Sequence, residues 1–139
     1  MTYASPMAHR GASAYARVGI ESGALGASPH QLIVMLFDGA AQAIALARHH
    51  MAEGRIAAKG QAISKAINIV DNGLKAALDP VAAGAQGAPL VDNLSQLYDY
   101  IVRRLMTANL RNDAPALDEC ARLLESIASA WREIAPTGA

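Results

Sequence analysis

The chain has 139 residues, enough for one domain with a real core, and its 12 Lys and Arg balance its 12 Asp and Glu. Zero net charge argues against a nucleic-acid binder, which presents a basic face, and against polybasic attraction to a membrane. Hydrophobic residues reach 53%, much of it alanine, while aromatics are only 4%, a balance that favours helices over sheets.

Residues 1–27 are rich in Ala, Ser and Gly with little periodicity, and read as a flexible N-terminal arm, mobile or partly helical. Within it, AYARVGIE (14–21) offers Tyr15, Val18 and Ile20 as isolated apolar handles. The remainder, 28–135, reads as a single helical domain. Ser28 is a good N-cap, Pro29 fits the first helical position, and Gln31 completes a capping box, so a helix is predicted from Pro29 to Glu53, ended by Gly54.

A second helix is predicted from near Arg55 to just before Asp79-Pro80. Its seam of Ile56, Gly60, Ile63, Ile67, Val70, Leu74 and Ala77 steps by fours and threes. DPVAAGAQGAP (79–89) reads as a loop. A third helix carries Leu90, Leu94, Leu97, Tyr98, Ile101, Leu105 and Ala108 on one face. RNDAP (111–115) breaks it, with Asn112 or Asp113 capping a fourth helix whose seam is Leu117, Cys120, Leu124, Ile127, Trp131 and Ile134. Four helices with short connections predict an all-α, antiparallel four-helix bundle.

No uninterrupted apolar run approaches the roughly 18 residues that a membrane span needs, and the N-terminus lacks a signal-peptide core. One cysteine cannot form an internal disulfide, which fits a reducing cytoplasm. Chemistry is equally sparse. His49 and His50 are adjacent and point about 100° apart on a helix, a poor arrangement for one metal ion but a suitable one for a helix C-terminus. No Glu-x-x-His pair of a di-iron bundle occurs, no phosphate-binding glycine loop follows a strand, and Cys120 falls on a seam as an inert thiol. Arg103 and Arg104 read as a solvated edge. The chain is therefore expected to be no enzyme and to hold no cofactor or metal.

What stands out is the first helix. Leu32 to Phe37 are apolar without a break, so two stripes lie side by side: Ile33, Phe37, Ala40, Ile44, Ala47 and Met51, and Leu32, Leu36, Gly39, Ala43 and Leu46. Packing between two neighbours explains part of this width. Small Gly39 and Ala43 between Leu32, Met35 and Leu36 also suggest a slot for an amphipathic partner, shielded by the arm when empty.

The sequence resembles the flagellin-specific export chaperones of the FliS family. The resemblance rests on AYARVGIES (14–22), SPHQLIVMLFDGA (28–40), NLSQLYDYIVRRLMTAN (93–109) and LLESIASAWREI (123–134), in order and over nearly the whole length. It implies a cytoplasmic bundle that binds the C-terminal segment of flagellin in apolar grooves. The chaperone prevents premature polymerisation and delivers its client to the export gate, without cofactor or ATP. Partner-binding residues expected on the two grounds together are Tyr15, Val18, Leu32, Met35, Leu36, Gly39, Ala43 and Tyr100, while Tyr98 and Trp131 sit on seams as core. Phe37 stands where the family commonly has Tyr, keeping the ring and losing a hydroxyl. No nucleic-acid partner and no membrane insertion are expected, and a homodimer of the free protein is compatible with this reading. The rivals are a histidine phosphotransfer bundle, with His50 as its acceptor, and a structural homo-oligomer.

Overall fold

Ser28 opens the first helix as its capping box predicts. Its Oγ accepts the Gln31 N–H at 3.2 Å, and Gln31 Oε1 accepts the Ser28 N–H at 2.9 Å. In this computed structural model, which describes residues 26–134 apart from the side chains of 80–82, α1 spans Pro29–Ala52. α2 runs over Ile56–Asn68 and continues as a π-helical stretch over Ile69–Lys75; α3 is Pro80–Arg111 and α4 is Ala114–Glu133. The arm expected at 1–27, with Tyr15 and Val18, lies outside the described residues except for its last two.

Gly54, at φ 71°, makes the turn between α1 and α2, a conformation that is cheap only without a Cβ. Asn112, at φ 51°, turns the chain out of α3, and the Asp113 carboxylate caps α4 by accepting the Ala116 N–H at 3.2 Å. These short connections make sequential helices antiparallel. α1 packs against α2 and α4, and α3 packs against the same two, which closes a four-membered ring. Leu36, Ile63, Ile69, Ile101, Leu105 and Leu117 are fully buried at its centre. Truncating any one to Ala would cost about 2–5 kcal/mol.

Two local features depart from the sequence reading. The π-helical stretch widens α2 by one residue per turn, so Ile69 and Val70, adjacent in sequence, are both buried, as are Gly73 and Leu74. A strict three-four count had included Val70 and omitted Ile69. The second departure is 79–89, which is helical from Pro80 onward and not a loop. Its backbone breaks only at Gly84 (φ 74°, ψ −178°), and Pro89 follows that break within α3. Alanine supplies the helix propensity, and the glycine absorbs the interruption.

Although no apolar run of spanning length was expected, α1 is long and apolar enough, by length and composition, to cross a membrane. Here seven of its side chains, including Leu36, Phe37 and Ile44, are buried in the bundle core.

Candidate functional site

The seams do not close along their whole length. Ile33 on α1, Leu90 and Leu94 on α3, Ile127 and Trp131 on α4, and Ile134 just after it continue the apolar stripes at the end where α1 and α3 begin. There they face an open trough of about 610 Å³. Phe37, Leu74 and Tyr98 are buried and line its inner side. Leu90 and Ile134, expected in the core, are 62% and 66% exposed. The physical reason lies at the start of α3. Residues 83–88 of its first turns are Ala, Gly and Gln, which bring no large apolar side chain to finish the core.

Asp79 and Ser126 contribute polar side chains to the trough, and the rest of its lining is apolar apart from the polar tips of Tyr98 and Trp131. Burial pushes the Tyr98 phenol well above its ordinary range, so it stays neutral at any physiological pH. Trp131, expected to be mostly core, is half-buried and packs against the core from its edge. Its ring stacks on His30 with centroids 4.9 Å apart, and its indole N–H donates to the His30 carbonyl at 3.2 Å. His30 Nε2–H in turn donates to the Trp131 carbonyl at 2.8 Å. The sequence reading gave His30 no such role. Only the convergence of the start of α1 with the end of α4 reveals it.

The expected partner-binding residues separate into distinct groups. Leu36 is fully buried, with Leu32 and Ala43 nearly so, all three in the core cluster. At these three positions the expected accessible slot is corrected, because their side chains turn inward where α1 meets its neighbours, while Leu46 on the same stripe is 51% exposed. Met35 and Gly39 are half-buried on the flank of the same helix. On the other stripe Phe37, Ala40, Ile44 and Ala47 are buried too, and it meets the trough only at its first turns, through half-buried Ile33 and the buried ring of Phe37.

Tyr100 stands apart on α3, where its hydroxyl donates to Glu119 Oε2 at 2.6 Å. Arg104 Nε donates to the other oxygen of the same carboxylate at 2.7 Å, so Arg104 is a paired residue and not a free solvated edge. The two hydrogen bonds, from Tyr100 first and Arg104 second, hold the Glu119 carboxyl below its usual range. Cys120 is buried beside this group, its thiol donating to the Ile101 carbonyl at 3.6 Å, and burial pushes its pKa up to about 12.

Comparison with known proteins agrees with the resemblance. The family described as flagellar protein FliS matches residues 11–138. The flagellar secretion chaperone FliS of Salmonella typhimurium is 56% identical over 126 residues, which is 91% of this chain and 90% of the relative. The protein of the same name from Escherichia coli is 45% identical over the same shares of the two chains. Flagellar secretion chaperone FliSB of Pseudomonas aeruginosa is 41% identical over 84% of this chain and 89% of its own length. With a match this long and identities this high, the chain belongs to the FliS family.

Proposed function

We propose that this chain is a cytoplasmic flagellar secretion chaperone that seats an amphipathic part of the flagellin C-terminal segment in the trough between α1, α3 and α4. It thereby keeps flagellin from polymerising early and brings it to the export apparatus. Family membership supports the chaperone role, and the trough is the observation that carries the binding mode. Ile33, Leu90, Leu94, Ile127 and Trp131 present apolar surface that the chain's own core leaves unfilled.

A helix laid into such a trough gains by removing its apolar stripe from water, about 25 cal/mol per Å². Ordering a disordered tail offsets part of that gain, which keeps capture reversible. No bond is made or broken, so neither a cofactor nor ATP enters the scheme. The arm, through Tyr15 and Val18, and the half-buried flank at Met35 and Gly39 would extend the contact as the tail wraps the bundle.

The test is co-purification with flagellin, intact and lacking its last few dozen residues. Capture of the intact protein and loss of the truncated one is the expected result. Equal capture of both would remove the C-terminal segment from the scheme. A dimer that persists in light scattering and ignores the tail peptide would favour the homo-oligomer instead.

A further inference from the structure

A second cavity, of about 400 Å³, lies at the opposite end of the bundle. There the last turn of α1, the Gly54 turn and the first turn of α2 meet the link between α3 and α4. Arg48, His50, Arg55 and Lys59 line it together with Asn112, and no carboxylate is among its lining residues. For a chain of zero net charge this is a marked local excess of cationic and basic side chains.

Lys59 is the singular member. It is only 3% exposed, yet it has no ion pair among the described residues. Its Nζ donates to the Asn109 carbonyl at 2.9 Å and to Asn112 Oδ1, both neutral acceptors. An ammonium has three N–H groups, so one donor is left over at the wall of the cavity. The Asn109 carbonyl lies in the last turn of α3, where the helix end carries only partial negative charge, so an anion beside Lys59 would supply the full counter-charge that these oxygens lack.

The neighbouring cations are also unspent. The Arg55 side chain makes no hydrogen bond or ion pair among the described residues and is exposed at the mouth. Arg48 uses Nε on Asp118 at 3.3 Å, which leaves its two terminal nitrogens available. Of the nearby carboxylates, Asp118 is taken by Arg48, Asp113 is committed to capping α4, and Glu53, in the α1–α2 turn, is exposed and not among the lining residues. The first turn of α2 has no side-chain cap, so its leading N–H groups add positive potential on the same side.

We propose that this cavity binds a small oxyanion between Lys59, Arg55 and Arg48, either free phosphate or the carboxylate of an acidic peptide. The inference is independent of the apolar trough and of the client assigned to it. A planar or tetrahedral oxyanion suits the site because guanidinium forks and an ammonium donate to two or more oxygens at once.

The test is titration of the ¹⁵N-labelled full chain with sodium phosphate, with an acetylated, amidated triglutamate peptide, and with sodium chloride at matched ionic strength. Saturable amide shifts at Gly54, Arg55, Ile56 and Asn112 with phosphate or peptide, and not with chloride, are expected. Whichever of the two saturates at lower concentration identifies the source. Arg55→Ala, which removes a side chain with no partner and adds no helix cap, should weaken that binding at least about fivefold with an unchanged melting temperature. Shifts that are linear, the same with chloride, or unaltered by Arg55→Ala would overturn the proposal. Those outcomes would leave the trough reading where it stands.

Discussion

His30 and Trp131, 101 residues apart, hold each other by three contacts: two reciprocal hydrogen bonds to main-chain carbonyls and a ring stack tilted by only 10°. The pair ties the first turn of α1 to the last turn of α4, and it fixes the indole as one wall of the apolar trough.

Replacing His30 by Ala removes the stack and one of the two hydrogen bonds, while the main-chain acceptor for the indole N–H remains. A loss of about 1–2 kcal/mol is expected from the two terms together. Urea unfolding with an unchanged m-value measures it. Trp131 is the chain's one tryptophan, so its emission should also shift to the red in His30→Ala as the ring loosens. Unaltered stability and emission would mean that the pair clamps nothing.

Glu119 predicts an acid dependence of stability. Its folded carboxyl lies below the ordinary value of 4.5, held there by Tyr100 and Arg104. The stabilisation is therefore fully present above that unfolded value and is lost as pH falls through the folded one. Glu119→Gln should flatten the fall of the urea midpoint below pH 4.5, with a lower midpoint near neutrality. An acid limb of the same steepness in both proteins would assign the dependence to other carboxylates.

Cys120 should be silent in the native protein. The reactive species is the thiolate, and a buried thiol with its pKa pushed up to about 12 forms almost none near pH 8. Ellman's reagent should find no thiol in the folded chain and one per chain in denaturant. Prompt native labelling would show that the α3–α4 seam opens readily.

Two substitutions separate core from client surface. Leu90, 62% exposed in the trough, can become Asp with little effect on folding, and flagellin capture should fall at least about tenfold as a charge meets the client's apolar stripe. Ala43, 5% exposed on the other stripe of α1, has no room for a larger ring. Ala43→Trp should destabilise the bundle by about 1–3 kcal/mol or more through overpacking. Calorimetric unfolding and tail-peptide binding on both variants give the comparison. A stable Ala43→Trp that no longer binds would place the groove back on the Leu32–Ala43 side.

The elements themselves were legible because their causes are local. The Ser28–Gln31 box, the glycine at 54, the Asp113 cap and the three-four spacing of Leu117, Cys120 and Leu124 each act within one or two turns. The alanine-rich stretch at 79–89 misled for the same reason: glycine and proline signal a break, but the chain needed only one, at Gly84. The extra residue per turn at Ile69–Lys75 carried no clear local sign.

By itself the amino-acid order determined an all-helical bundle with more apolar surface on its first helix than one stripe accounts for. Periodicity and capping depend on neighbours three or four residues away, so no further information was required. Which apolar positions stay open was decided only in three dimensions. Leu36 and Ala43 go inside while Ile33, Leu90 and Ile127 border the trough, because closure depends on which side chains the other helices bring to each level. Lys59 is buried, Tyr100 is held by Glu119 and His30 lies on Trp131 for that same non-local reason.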